Sequence, residues 1–308
     1  MIEVCNIDFG YKKSAKIFEQ FSLTIHSGER FGILGFNGAG KSTLIKMILG
    51  IIKPSIGFIN IGGKDVWTHR RQIMKSVGVV WGQKTTLWWD IPVLSSYQML
   101  KKIYHISDAH YSSRLQYFNS ILNLDSFWER PLRTLSLGQR AKAEIVASLL
   151  HGPELLIYDE PFLGLDLINR SNILLFLERY CAENKCTLLL SSHDIEDIDA
   201  LCDHILLIDS GKVLFSGAKQ ELRQLYRNLG QIDFFHDQSE LIISPELRNK
   251  LMDIVRYEHK TRVTYCTDQI DLRQIVEQVV NKNQITGIEA NKDVLEQIVR
   301  QIMEMKGN

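Results

Sequence analysis

The sequence has no apolar run approaching the ~18–20 residues needed to cross a bilayer, so in any membrane process another chain must supply the membrane part. It has no excess charge of either sign. Lysine plus arginine and aspartate plus glutamate stand at 36 each, which argues against a dedicated nucleic-acid binder. Cysteine is scarce: Cys5, Cys181, Cys186, Cys202 and Cys266 make an odd count with no CxxC spacing. They read as small buried hydrophobes in a reducing compartment, not as a disulfide framework or a metal site. The first residues, MIEVCNIDFG, lack the basic-then-apolar pattern of a secretory leader. Internal repeats and low-complexity segments are also missing. What is present is an ordinary globular composition, 45% apolar and 23% charged, in 308 residues, enough for one large domain and a small one.

Residues 1–30 carry the alternation of short strands (Phe21, Leu23, Ile25) with a turn at Ser27-Gly28. An apolar run at 31–34 (FGIL) leads into a glycine-rich loop and then a helical pattern through Leu44, Ile45, Ile48 and Leu49, an order of strand, loop and helix. SVGVVW at 76–81 reads as a strand, and about 93–150 reads as a helical insertion. The runs LLIY at 155–158 and TLLLSS at 187–192, separated by a helix from about Leu167 to Asn184, suggest a parallel sheet covered on both faces. ILLID at 205–209 is a last strand before a turn at Ser210-Gly211. Beyond about Lys219 the pattern changes. IDFF and ELIIS look strand-like, a helix starts near Pro245, and TRVTYCT and QITGIEA read as strands. One amphipathic face runs through Leu272, Ile275, Val276, Val279 and Val280, and a second through Val294, Leu295, Ile298, Val299, Ile302 and Met303.

Residues 35–43, GFNGAGKST, match the phosphate-binding loop G-x-x-x-x-G-K-[ST]. Gly35, Gly38 and Gly40 let the backbone turn so that consecutive N–H groups point inward. Lys41 adds a point charge for the β- and γ-phosphates, Ser42 offers a hydroxyl to Mg²⁺, and the following helix presents its N-terminus. Gly35, Asn37, Gly38, Ala39, Gly40, Lys41, Ser42 and Thr43 are the candidate nucleotide-binding residues. The N-K-x-D element of a GTPase is absent, since NKNQ and NKDV both lack the final aspartate in place.

Further motifs fall in one order along residues 1–217, and together they resemble the nucleotide-binding domain of ABC ATPases. LLIYDE at 155–160 is similar to the Walker B strand. The resemblance implies that Asp159 holds Mg²⁺ through water and that Glu160 acts as general base or orients the attacking water. LSLGQ at 135–139 resembles the signature LSGGQ, with Ser136, Gly138 and Gln139 meeting the γ-phosphate held by an opposite subunit. Leu137 departs from the pattern by replacing a glycine, and strain is expected if that backbone angle is one only glycine adopts. Gln83 fits the Q-loop, a contact to Mg²⁺ or water. His193 fits the switch histidine at the γ-phosphate. Asp166 in GLD fits the D-loop, although a helix N-cap explains it equally well. Tyr11 stands where the family places an aromatic against adenine. Phe162 replaces a usual threonine.

The resemblance implies a P-loop NTPase α/β fold of the ABC type over residues 1–217, with an antiparallel β subdomain and a helical subdomain at about 93–150. A small α+β accessory domain follows at 218–308. It further implies ATP and Mg²⁺ as cofactors, with Glu160, His193, Lys41 and Gln83 as catalytic residues and Ser42, Gln83 and Asp159 at the metal. The partners would be a second ATP-binding subunit, identical or closely related, and transmembrane permease subunits, with no nucleic acid. The place would be the cytoplasmic side of the membrane. The segment Leu87-Trp88-Trp89-Asp90, LSLGQR and the C-terminal domain look most similar to exporter-type members. The alternatives are a soluble relative acting on ribosomes or DNA, and a regulatory subunit that binds ATP with little turnover.

Overall fold

A computed structural model describes residues 1–12, 16–82, 84–225, 229–237, 241–291, 295, 298–299 and 302. The chain divides into two compact units, Met1–Lys219 and Gln220–Asn308.

The first unit opens with β1 (Ile2–Phe9), β2 (Phe18–Ile25), β3 (Arg30–Leu34), α1 (Lys41–Ile48), β4 (Ile56–Ile61), β5 (Lys64–Asp65), the short α2 (Arg70–Ile73) and β6 (Val77–Trp81). Three helices follow, α3 (Val93–Ile103), α4 (Asp108–Leu122) and α5 (Leu137–Leu149). The unit closes with β7 (Leu155–Asp159), α6 (Leu167–Asn184), β8 (Thr187–Ser192), α7 (Ile195–Leu201), β9 (His204–Asp209) and β10 (Lys212–Ala218), and α8 (Lys219–Leu225) begins at the boundary.

Two sheets form this unit. The first is antiparallel, in the order β2-β1-β4-β5. Its strand β2 buries alternate residues Phe21, Leu23 and Ile25, the period of a sheet with one face to the core. The second has the order β10-β9-β3-β8-β7-β6; all neighbours are parallel except the edge pair β10/β9. Every residue of β7 and β8 is buried, as expected for strands covered on both faces. Parallel pairing brings Leu34, Trp81, Asp159 and Ser192 to the same edge of the sheet. That edge, outside the carboxyl ends of the strands, is where open α/β sheets take their ligands.

The helical insertion is tied to this sheet by specific contacts. Fully buried Tyr97 of α3 donates its hydroxyl to Ala143 O of α5 at 3.0 Å. Ser148 of α5 bonds Tyr158 of β7 at 2.8 Å, and Phe118 of α4 packs edge-on to Phe176 of α6. Sequence patterning alone does not reveal β4, β5 and β10. β4 has only Ile59 fully buried, so its apolar signal is diluted, and β5 is two residues long.

The second unit has β11 (Leu229–His236), the one-turn α9 (Pro245–Arg248), β12 (Leu251–Arg256), β13 (Lys260–Cys266), α10 (Leu272–Val280) and β14 (Ile285–Asn291). The sheet order β12-β13-β11-β14 is fully antiparallel, and the succession β-α-β-β-α-β is that of a split βαβ unit. Its core is Ile232, Phe234, Val263, Ile275 and Val279. Leu295, Ile298, Val299 and Ile302 are helical and buried, while Val294 and Met303 lie outside the described residues.

The structure corrects two expectations and adds one strand. The segment ELIIS is not a strand across its described residues 241–244. The side chain of Asn283 takes both backbone groups of Ile242, accepting from its N–H at 2.7 Å and donating to its O at 2.9 Å, so no strand ladder is required. LMDIVR, which the pattern beyond Pro245 does not mark, is the edge strand β12. Val280 is 41% exposed and leaves the buried face of α10 to Ile275 and Val279.

One largely buried histidine is expected to make the fold acid-sensitive. The His151 ring stacks on Tyr104 with centroids 4.0 Å apart. Burial pushes its imidazole down to about 4, with the charge of Arg114 adding to the effect. Unfolding frees the ring to protonate near its ordinary value, so the unfolded chain binds more protons between these limits. Stability is therefore full above about pH 6.5 and falls as the pH drops towards 4, by on the order of 1–2 kcal/mol at pH 5. His151→Phe, which keeps the ring stack, should flatten this part of the profile when urea unfolding is compared at pH 7 and pH 5.

Candidate nucleotide site

The phosphate loop connects β3 to α1. Gly38 (φ 89°) and Gly40 (φ 108°) occupy the left-handed region that a side chain strains, and Gly40 is the N-cap of α1. A Cβ on Gly40 would also come within 3.0 Å of Phe18. Lys41, 6% exposed, folds back over the loop. Its ammonium donates to Gly35 O at 2.6 Å and to Phe36 O at 3.4 Å. It also stands 3.1 Å from Glu160 Oε1, a charge contact whose angles fall short of a hydrogen bond, so Oε1 has no hydrogen-bond partner.

The carboxylates come from the end of β7. Asp159 Oδ1 accepts from Ser42 Oγ at 3.1 Å and from Ser191 Oγ at 2.5 Å. Glu160 has φ 52°, a conformation that costs a non-glycine residue on the order of 1 kcal/mol. Its N–H is held by Ser191 O at 3.1 Å and Ser191 Oγ at 3.2 Å, which fixes the turn. Glu160 Oε2 accepts from the His193 backbone N–H at 3.3 Å and lies 2.7 Å from His193 Nδ1. The histidine loop is braced behind. Ser192 Oγ donates to Asp197 Oδ2 at 2.8 Å, and Arg170 pairs with Asp197 and Asp194 at 2.7 and 2.6 Å. Burial of Asp197 raises its carboxyl, against the pull of Ser192 and Arg170.

Lys41, Ser42, Asp159, Glu160 and His193 line one cleft of about 700 Å³, together with Asn37, Thr43 and Tyr11. Tyr11 is 62% exposed, stands edge-on to Phe9, and its hydroxyl lies 3.3 Å from Thr43 Oγ1. An exposed ring at the mouth of a phosphate loop is available to a base. The donor set suits Mg²⁺, a hard cation that binds through one or two protein oxygens and keeps its waters. Ser42 and Asp159 supply those oxygens side by side. Gln83 lies outside the described residues.

The signature segment does not line this cleft. Ser136 is the N-cap of α5, in a capping box: its Oγ accepts from Gln139 N–H and Gln139 Oε1 accepts from the Ser136 N–H. Leu137 is the first residue of α5 and does not have positive φ. The strain expected there is absent, because a first helical position suits any L-residue. Its side chain is 48% exposed and touches the place a Cβ on Gly164 would occupy. A Cβ on Gly138 would stand 2.5 Å from the Asn169 side chain, so any other residue there has to displace that amide.

The family profile described as "ABC transporter" matches residues 18–163. The ABC transporter ATP-binding protein NatA of Bacillus subtilis is 33% identical over 217 residues, covering 70% of this chain and 88% of that protein. The Nod factor export ATP-binding protein I of Cupriavidus metallidurans is 30% identical over 224 residues, 73% of each chain. A solved "ATP binding subunit of ABC transporter" superposes with a TM-score of 0.66 at 27% identity, over 73% of this chain and 93% of that one. The chain belongs to the ABC transporter ATP-binding subunits.

Asp166 is the N-cap of α6, accepting from Asn169 N–H at 2.9 Å, and this bond holds its carboxyl below the usual range. Its carboxylate also takes the Asn169 amide at 2.7 Å, so the D-loop cap and the signature glycine share one neighbour. Phe162 is buried. Trp88 and Trp89 are 40% and 45% exposed, so the pair is not core.

Gly82 and Ser191 carry no sequence motif, yet both shape the site. A Cβ on Gly82 would meet Glu160 O at 2.0 Å, so only glycine lets β6 leave the sheet there. Ser191 immobilises both carboxylate residues, yet in the sequence it is just the fifth residue of TLLLSS. Ser191→Ala is expected to weaken binding of MgATP about tenfold, the loss of one charge-assisted bond of ~1.4 kcal/mol. Isothermal titration on the purified variant measures it, and an affinity within about twofold of wild type would refute the role.

Proposed function

We propose that this chain binds ATP with Mg²⁺, hydrolyses it in a site completed by a second ATP-binding subunit, and so powers export through separate membrane subunits. The observation that carries the reading is the convergence of Lys41, Glu160 and His193 above the Ser42–Asp159 pair in one cleft.

Phosphoryl transfer needs positioning and charge neutralisation more than covalent chemistry. The loop amides and the N-terminus of α1 would cradle the phosphates. Ser42 and Asp159 would hold magnesium, with Gln83 joining them, and the metal supplies charge neutralisation at the phosphate oxygens. Glu160 would orient the attacking water or take its proton, and the His193 bond to Oε2 fixes where the carboxylate points. Tyr11 would stack on the base.

A second subunit is favoured by the location of the signature. Ser136, Gly138 and Gln139 lie outside the cleft that the phosphate loop lines, so their capped helix end is offered to another chain's nucleotide. The half-exposed tryptophans beside it suit an aromatic contact with a membrane subunit. No helix among the described residues is long and apolar enough to cross a membrane, which fits a peripheral subunit on the cytoplasmic side. Export is favoured by the Nod factor export relative. The unit at 220–308 would be accessory.

Glu160→Gln should keep ATP affinity, accumulate an ATP-dependent dimer on gel filtration, and lower steady-state phosphate release by about 100-fold or more. Unchanged release would exclude Glu160 as the group that activates the water.

A further inference from the structure

Glu144 is a buried acid that the nucleotide chemistry does not use. It sits in the middle of α5 and is 6% exposed. No lysine or arginine forms an ion pair with it among the described residues. Its carboxylate is instead filled from one short segment: Thr85 Oγ1 donates to Oε1, Thr86 Oγ1 donates to Oε2 at 2.6 Å, and the Thr86 N–H reaches both oxygens at 3.1 and 3.2 Å. A buried carboxylate with hydroxyl and amide donors and no cation is costly unless every bond is made, so the segment has one permitted place on the helix.

The same segment is tied to the same region twice more. Arg140 lies over the Trp89 ring at 4.6 Å, and Arg133 contacts Asp90 at 3.3 Å while its N–H donates to Trp89 O. The Arg133–Asp90 pair is exposed and contributes little. The Glu144 bonds are part-buried, with the carboxylate on the buried side and Thr85 and Thr86 at the surface, and the four of them set the geometry. At the other end, Gly82 N–H donates to Asp159 O at 2.7 Å, on the strand that carries both carboxylates. Gly82 thus contacts the strand that carries both carboxylates, and Thr85 and Thr86 contact the helix that follows the signature.

We infer that Glu144 is a positioning residue: it locks Thr85-Thr86, and with them the Trp88-Trp89 surface, to α5, so that this segment and the signature at Ser136 move as one piece. Glu144 lies eight residues beyond Ser136, ~12 Å along a continuous helix, which transmits displacement without bending. Ser136 is aimed at a neighbour's nucleotide, so the clamp governs closure between two chains and leaves the chain's own cleft unchanged. None of Glu144, Thr85 or Thr86 lines that cleft. This role rests on the proposed ATPase function and names a residue through which that site is controlled.

The test uses the full chain with Glu144→Ala and the near-isosteric Thr86→Val, which keeps the helix carboxylate and the Thr85 bond should the alanine variant fold poorly. ATPase rate against MgATP concentration, thermal midpoint, and ATP-driven dimerisation in a Glu160→Gln background are measured together. The expected result is a kcat about tenfold lower for Glu144→Ala and about threefold lower for Thr86→Val, with KM within about twofold, and weakened dimerisation in both. A fastener needed only for folding would lower the thermal midpoint while leaving kcat per folded molecule and dimerisation at wild-type values, and that result overturns the proposal. Wild-type protein without ATPase activity would overturn the functional reading, and the clamp's role with it. An active wild type matched by both variants overturns the clamp alone.

Discussion

Asp159 Oδ1 receives two hydroxyls, one from Ser42 on α1 and one from Ser191 on β8, and the geometry of the whole cleft follows from that shared oxygen. It can be shared only because β3, β8 and β7 run parallel as neighbours, so that the phosphate loop, Ser191 and the carboxylates leave the sheet at one edge. Ser191 acts twice, since its hydroxyl and carbonyl both receive the N–H of Glu160. That pins a left-handed turn, which aims the Glu160 carboxylate towards Lys41 and His193. A backbone strain of order 1 kcal/mol persists at Glu160 because the strands on either side determine it.

The helical layer obeys a different constraint. It holds the N-terminus of α5 outside the cleft that the phosphate loop lines. Tyr97 to Ala143, Ser148 to Tyr158 and the Glu144 carboxylate fasten α5 along its length to α3, to β7 and to the segment after β6. The D-loop reaches the same end from the other side, where Asn169 fills the space beside Gly138 and is itself held by Asp166. The Arg170 brace then continues from α6 to the histidine loop. The nucleotide cleft and the N-terminal end of α5 are thus connected through packed side chains on both flanks.

What could be read from the sequence followed from how local each constraint is. The phosphate loop was legible because its chemistry forces contiguous residues, with Gly38 and Gly40 required by positive φ and Lys41 directly behind them. The helix of α6 runs Leu167–Asn184 as the pattern indicated, because Asp166 marks its start and the apolar residues its length. β12 and β4 were not legible, since partly exposed strands carry no clean alternation. ELIIS had the composition of a strand, but a side chain from distant Asn283 supplies its backbone bonds. Ser191 and Glu144 were illegible for the same reason: their partners are 32 and 58 residues away along the chain and meet only after the sheet and helices are packed.

Leu137 leaves the backbone at the start of α5 undisturbed. The capping box uses the Ser136 and Gln139 N–H groups against each other's side chains, and Arg140 N–H bonds Ser136 O. The N–H groups of Leu137 and Gly138 have no acceptor among the described residues, as the first turn of a helix dictates. Those two donors, the remaining proton of the Ser136 hydroxyl and the positive end of α5 are what an anion would meet. None of them depends on a side chain at position 137. The leucine is directed instead to Gly164, so its bulk lies on the D-loop and off the donors. A side chain at 138 would have to displace the Asn169 amide, which already occupies that space. At 137 the backbone has no positive φ, so a leucine leaves the two N–H donors at the helix end in place.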